Sequence, residues 1–314
     1  MIITDFTRDH MPQAEALARA CYEEERGHTP ALPSVAALPP LDRFAQYGFG
    51  AAALDGETLL GFLCFYPPIE RAFTTRVRGT FSPIHAHGTI EERRADIYAR
   101  LYEYTAHKLV GAGIPSHSVA LYAHDTAAKD AFFTYGFGLR CIDAVRPMEP
   151  LACAPLGGYT MRELAESETH TLLPLKNLLI AHLGQSPSFM RYAPMTAAQL
   201  DDEHTRRGSR YFCAFSEGNP IAFVEVADAG ENFACDDASM QNICGAYCLA
   251  AHRGKGLFAN LVSFMIEALA REGYTRLGVD FESFNPTANG FWRKHFSVYT
   301  HSVVRRIDDL NFDA

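Results

Sequence analysis

The residues with the clearest chemistry lie between 248 and 262, where the chain reads CLAAHRGKGLFANLV. Gly254 and Gly256 carry no Cβ, so backbone at this turn can approach a ligand closely. The apolar positions that follow, Leu257, Leu261, Phe264, Met265, Ala268 and Leu269, repeat as one face of a helix. A helix that begins directly after such a turn presents unpaired backbone N–H groups and the positive end of its dipole. Arg253 and Lys255 add positive charge. Together these features make an anion site fit for a pyrophosphate. Taken alone, R-G-K-G also fits a solvated basic turn, so the neighbouring elements must decide.

Other reactive residue types are less organised. Cys248 ends an apolar run with no evident His and carboxylate to activate it, and it reads as a buried thiol. His85 and His87, in IHAHG, share one face of an alternating strand, but no third ligand stands near. None of the thirteen histidines falls in H-E-x-x-H spacing, so no metal site is expected. The eight cysteines form no C-x-x-C pair, which fits reduced thiols and not disulfides.

An internal repeat supplies the elements that hold the turn in place. GAGIPSHSVALYAHDTAAKDAFFTYGF from Gly111 matches REGYTRLGVDFESFNPTANGFWRKHF from Arg271. Gly113 falls on Gly273, Asp125 on Asn285, Ala128 on Ala288 and Phe132 on Trp292, each pair 160 positions apart. The same offset sets Arg93 on Arg253 and Leu101 on Leu261. The hairpins LDGETLLGFLCF and FSEGNPIAFVEV align one residue out of that register.

In the second copy the patterning predicts a strand at 159–164, helices at 168–182 and 197–206, and a hairpin at 211–226. A strand at 241–248, a helix at 256–272 and a strand at 275–281 follow. A helix at 286–295 then opens on Pro286 with Asn285 as its cap, and a strand at 299–307 ends the copy. The Pro- and Gly-rich stretch PMEPLACAPLGG, 147–158, reads as the linker.

Composition agrees with two domains, because 314 residues exceed what one core usually supports. Apolar residues at 48% and charged residues at 21% are a globular balance. A net charge of −9 disfavours a nucleic-acid partner and suits cationic small molecules such as amines. MIITDF alternates like a first strand, and no apolar stretch of about 18 residues appears, so a cytoplasmic protein without a membrane span is expected.

With strand, turn, helix and Asn285-x-x-Ala288 in this order, the second half resembles a GNAT-family N-acetyltransferase domain. That family's loop pattern Q/R-x-x-G-x-G/A is met by Arg253 and Gly256, while Phe258 stands where a small residue belongs. Phe258 is therefore expected to point away from the coenzyme. The aromatic-rich helix of the family matches FWRK at Phe291–Lys294. The resemblance is close over the second half and looser over the first, and the whole chain resembles a two-domain GNAT arrangement of bacterial proteins. It implies an α+β fold with mixed sheets. Residues 1–150 would be a degenerate copy, and 157–314 the copy that holds acetyl-CoA.

The resemblance also implies direct acyl transfer from coenzyme A to a primary amine in a ternary complex. The coenzyme would lie against Cys248, Leu249, Ala250, Arg253, Gly254, Lys255, Gly256, Leu257, Phe258, Asn285, Ala288 and Trp292. A backbone N–H near Cys248–Ala250 would polarise the thioester carbonyl. Glu282 is the leading base, with Tyr247, Asp280 and Glu225 as alternatives. Many GNAT enzymes protonate the leaving thiolate from the Tyr of A-x-x-x-Y, but Trp292 holds that place here and Phe132 its counterpart. Indole N–H is too weak an acid, so Tyr299 or a water is expected to serve instead.

Two other functions compete. One is a non-catalytic CoA-binding scaffold; the other is an aminoacyl transferase using charged tRNA, which the acidic balance and intact RGKG disfavour. At the 160 register, Arg253, Gly254, Lys255 and Gly256 face Arg93, Arg94, Ala95 and Asp96. Asp96 would set a carboxylate among the phosphates, so only the second half is expected to bind coenzyme A.

Overall fold

The structure, a computed structural model, describes residues 1–312. It contains two compact units, Met1–Ile142 together with the residues from Val298 onward, and Asp143–Ser297. The first unit carries β1 (Ile2–Asp5), α1 (Met11–His28), α2 (Asp42–Tyr47), β2 (Gly50–Asp55), β3 (Thr58–Cys64), β4 (Gly79–Ser82) and β5 (His87–Thr89). It continues with α3 (Arg94–Gly111), β6 (Ser116–Tyr122), α4 (Thr126–Thr134) and the start of β7 (Gly138–Pro147). The second unit carries β8 (Thr160–Glu163), α5 (Leu173–Leu183), α6 (Ala197–Arg207), β9 (Arg210–Ser216) and β10 (Asn219–Ala227). Its remaining elements are β11 (Met240–Cys248), α7 (Leu257–Arg271), β12 (Arg276–Glu282) and α8 (Pro286–His295). β13 (Ser297–Arg306) follows. No helix among the described residues is long and apolar enough to cross a membrane.

The repeat has a local physical basis. β6 and β12 occupy positions 160 apart, and so do the residues that start the helices after them. Asp125 Oδ1 accepts the Ala128 N–H at 2.8 Å to cap α4, and Asn285 Oδ1 accepts the Ala288 N–H at 3.4 Å to cap α8. A short side-chain acceptor three residues before that N–H is what a helix start requires.

Two expectations need correction. The first concerns β13, expected to close the second domain: it pairs antiparallel with β6, from Thr300 opposite Tyr122 to Arg306 opposite Ser116. Every residue of β6 is buried, so the edge not covered by β4 needs partners for its backbone groups. Val303 joins the apolar core of the first unit, and Ser118 Oγ donates to its carbonyl at 3.1 Å. The chain thus leaves the first unit within β7 and returns to it within β13. The expected linker belongs to the second unit, where Leu151 N–H donates to Ser263 Oγ and the Ala154 carbonyl accepts from Asn260 Nδ2.

The second correction concerns the loop before α3. The left-handed residue that starts α7 is Gly256, and the one that starts α3 is Arg93, 163 positions earlier. α3 has gained a turn at its front, so Asp96 lies inside the helix and not at the turn. It is half-buried and paired with Arg93 at 2.5 Å and Arg100 at 3.0 Å. The residue that fills this helix start is Arg94, 8% exposed, clamped by Glu24 at 2.9 Å and Asp125 at 3.4 Å. Carboxylates of the chain itself occupy the anion position here.

The same cluster holds His124, whose Nδ1 lies 2.5 Å from Glu25 and whose Nε2 lies 2.9 Å from Glu24, with His28 stacked on its ring. Burial alone would lower the pKa of His124, but its bonds to Glu25 and Glu24 outweigh burial and raise it. A histidine with a raised folded pKa contributes stability that is complete below about pH 6.5, its unfolded value. That stability is lost as pH rises through the folded pKa. Thermal melts across this range are expected to show a decline that His124→Gln flattens; an unchanged slope in the variant would contradict the assignment.

In the second unit the sheet order is β8-β9-β10-β11-β12, antiparallel except for the parallel pair β11 and β12. β11 and β12 pair from Met240 and Arg276 to Ile243 and Val279, and pairing stops there. Opposite Glu225 and Val226 the β11 register slips by one residue, passing from Ile243 to Gly245. Residues 244–248 therefore run on with only β10 beside them, which opens a wedge in the sheet. α7 buries Leu257, Leu261, Val262, Met265, Ile266 and Leu269, close to the expected stripe.

Candidate active site

The wedge leads into the Gly-rich turn. Gly254 and Gly256 both have positive φ, 72° and 82°, a backbone region that only glycine enters without strain. They fold the turn so that α7 begins at Leu257 with no side-chain cap, leaving its first N–H groups unpaired. Leu257 itself is fully buried.

Just past β11, on its paired edge, Leu249 N–H donates to the Ile221 carbonyl on β10. Backbone groups alternate sides in an antiparallel ladder, so those of Cys248 face the wedge. Arg253 reaches back into this space: its Nε donates to the Cys248 carbonyl at 2.8 Å, and its guanidinium lies 5.1 Å from the centre of the Tyr247 ring. Of the N–H groups expected to polarise a carbonyl, that of Leu249 is engaged with β10 and that of Cys248 lies on the other side of the strand.

A cavity of about 280 Å³ opens here. The structure brings Tyr247, Cys248, Arg253, Gly254, Phe258, Asn285, Ala288 and Trp292 together on its wall. Ala250 and Lys255 lie on the turn but not on the wall, and Glu282 and Asp280 end β12 outside it. Phe258 does not turn away as expected. It lines the cavity, its ring 4.9 Å from Phe291 and 5.8 Å from Trp292, because these two rings offer an apolar flank that solvent does not. Trp292 is both core and wall, 5% exposed and packed on Phe296. Tyr299 belongs to the first unit, is buried, and does not line this cavity.

The candidate bases differ sharply in surroundings. Glu225 is 1% exposed and ion-paired with Lys176 Nζ at 2.5 Å, and it accepts the Tyr211 hydroxyl at 3.0 Å. Burial would raise its pKa, but Lys176 outweighs burial and holds the carboxylate below its usual range. A locked anion of this kind is no proton acceptor, so Glu225 is removed from the candidates. Asp280 is the reverse: burial, then Glu231 and Asp143, push it up to about 8, so it titrates near neutrality. Cys248 donates its thiol to the Leu249 carbonyl at 3.6 Å, and burial raises its pKa against the pull of Arg253. That suits a resting thiol and not a nucleophile.

Both ring nitrogens of His87 are engaged, Nδ1 with the Tyr98 hydroxyl at 2.9 Å and Nε2 with the Ala120 carbonyl at 2.6 Å. Among the described residues no group of His, Cys, Asp and Glu is arranged to hold a metal ion. Sequence reasoning missed Leu179 and His182 of α5, Ala246 of β11 and Thr287 of α8, which also line the wall. No periodicity marks His182, because its place depends on where α5 crosses β11.

Residues 178–296 match the family model described as Acetyltransferase (GNAT) family. This match to the GNAT acetyltransferase family lies entirely within the second unit. The whole chain is similar in structure to a GCN5-related N-acetyltransferase from Sphaerobacter thermophilus. That likeness covers 97% of this chain and 95% of that one, at 11% identity and a TM-score of 0.58. A fungal multi-domain GH3 β-N-acetylglucosaminidase, described as containing a GCN5-related glucosamine N-acetyltransferase region, is similar over 96% of this chain and 38% of its own. There the identity is 11% and the TM-score 0.53. At such identities the likeness concerns the fold, and it extends to both GNAT-type units. Among curated proteins none matches the chain in sequence. The chain has the α+β, mixed-sheet architecture expected, and the matched family generally uses acyl-CoA.

Proposed function

We propose that this GNAT protein transfers an acetyl or other acyl group from coenzyme A to a primary amine of a small molecule, directly within a ternary complex. The observation that carries the reading is the pair of positive-φ glycines that starts α7 bare beside the open edge of β11. The pyrophosphate is assigned to the turn N–H groups and Arg253, and the pantetheine arm to the wedge beside Cys248. The acceptor is assigned a cationic amine, drawn to the acidic end of β12, where Asp280 and Glu282 stand near Glu231 and Asp143. In this reading Glu282 and Tyr247 accept the first proton of the ammonium, and Asp280, with its pKa near neutrality, is the alternative.

A second reading, a coenzyme-binding protein without chemistry, is favoured by one observation: Trp292 stands where the family's thiolate acid is expected. Acetyl-CoA turnover across a panel of primary amines separates the two. An acyltransferase releases thiol and forms an amide with at least one amine; a pure binder does neither. Because indole is not the acid, Trp292→Phe is expected to lower turnover by less than about tenfold. A loss of about a thousandfold with coenzyme binding unchanged would contradict that assignment.

A further inference from the structure

His182, next to last in α5, lines the cavity and is held from two sides. Its ring meets that of Tyr247 at 6.4 Å and 61°, and its Nε2 lies 3.2 Å from Thr287 Oγ1. Thr287 has one hydroxyl proton, and it goes to Asn285 Oδ1 at 2.8 Å. Asn285 presents its oxygen there because the same atom accepts the Ala288 N–H that caps α8. An amide oxygen only accepts, so Thr287 must receive the bond from His182, and His182 must carry its proton on Nε2. A neutral imidazole protonated at Nε2 keeps its lone pair on Nδ1. The string Asn285, Thr287, His182 thus fixes one tautomer, as a hydrogen-bonded partner does in other histidine bases.

We propose that His182 is a catalytic residue of acyl transfer, moving a proton from the attacking nitrogen to the leaving sulfur. The proposal rests on the acyltransferase reading above. The acceptor arrives as an ammonium ion, loses one proton to water by way of the acceptors proposed above and becomes the free amine. Its nitrogen attacks the thioester carbonyl carbon and the C–N bond forms. Nδ1 of His182 takes the second proton from that nitrogen. The C–S bond breaks with its electron pair on sulfur, and the protonated imidazole returns the proton to the thiolate. The products are the amide and the coenzyme thiol, with His182 neutral again and no further reactant consumed. Beside Tyr247, already assigned to the first proton, the other polar side chains on the wall serve this less well: Arg253 does not give up its proton, and the Cys248 thiol is committed to the Leu249 carbonyl.

The test uses the full chain. His182→Gln keeps an N–H for Thr287 and removes the basic nitrogen. Its turnover is expected to fall about a hundredfold or more while the KM for acetyl-CoA stays within about twofold. In His182→Ala, added imidazole is expected to restore part of the lost turnover. Nitrogen NMR of the wild-type chain is expected to show His182 protonated at Nε2. Wild-type turnover in His182→Gln, or a resting tautomer protonated at Nδ1, would overturn the proposal. A wild-type chain inactive with every amine would instead remove the acyltransferase reading and this proposal with it, so the two failures are distinct.

Discussion

Gly256→Glu is expected to abolish coenzyme A binding, with affinity lost by about a thousandfold or more. Two effects add. Gly256 has φ of 82°, so any side chain there strains the turn by about 1–3 kcal/mol. The new carboxylate also meets the pyrophosphate at the helix start, and each like-charge contact at about 4 Å costs on the order of 4 kcal/mol at an effective dielectric near 20. Since about 1.4 kcal/mol is tenfold, the charge term alone reaches about a thousandfold. Asp96→Ala is expected to change nothing, because Asp96 lies inside α3, already paired with Arg93 and Arg100. Calorimetric titration checks both: binding that survives Gly256→Glu would refute the site.

The largest effect on stability is expected from splitting the buried pair of Lys176 and Glu225. Their side chains are 7% and 1% exposed, and the Lys176 ammonium also lies 5.2 Å from the Tyr211 ring centre and 5.5 Å from that of Phe223. Gly245 leaves room for the carboxylate, since a Cβ there would come within 2.5 Å of Glu225 Oε2. Glu225→Ala strands a buried cation and is expected to cost about 3–5 kcal/mol, whereas replacing both partners with apolar residues recovers much of it. Trp292, the one tryptophan, lies in the second unit, so denaturant unfolding followed by its fluorescence reports the relevant transition. A loss under about 1 kcal/mol in Glu225→Ala would show that Lys176 finds another partner.

How much was legible in the sequence follows from how local each signal is. The turn at Arg253–Gly256, the helix after it and the cap at Asn285 depend on neighbouring residues, and periodicity and glycine placement disclose them. β13 was misplaced because its strand pattern says nothing about which edge it joins, and β6 supplied that edge. Asp96 was misread because a fixed offset cannot see three residues added at the front of α3. Phe258 broke a family pattern, and where it went depended on the rings of Phe291 and Trp292. Glu225 looked like a strand-end acid until Lys176, 49 residues earlier, was seen to neutralise it. His182 and Thr287 carry no motif at all; α5 and α8 meet only in the folded unit.

The central claim is that the second unit holds the coenzyme at the Gly-rich turn, and a crystal structure of the chain with coenzyme A tests it most directly. The expected density is a single coenzyme per chain, its pyrophosphate on the backbone N–H groups around Gly254–Phe258 and its pantetheine arm entering the wedge beside Cys248. Arg94 is expected to remain clamped by Glu24 and Asp125, with no coenzyme against α3. A pyrophosphate seated at the start of α3, or a coenzyme that leaves the turn at Arg253–Gly256 empty, would contradict the account.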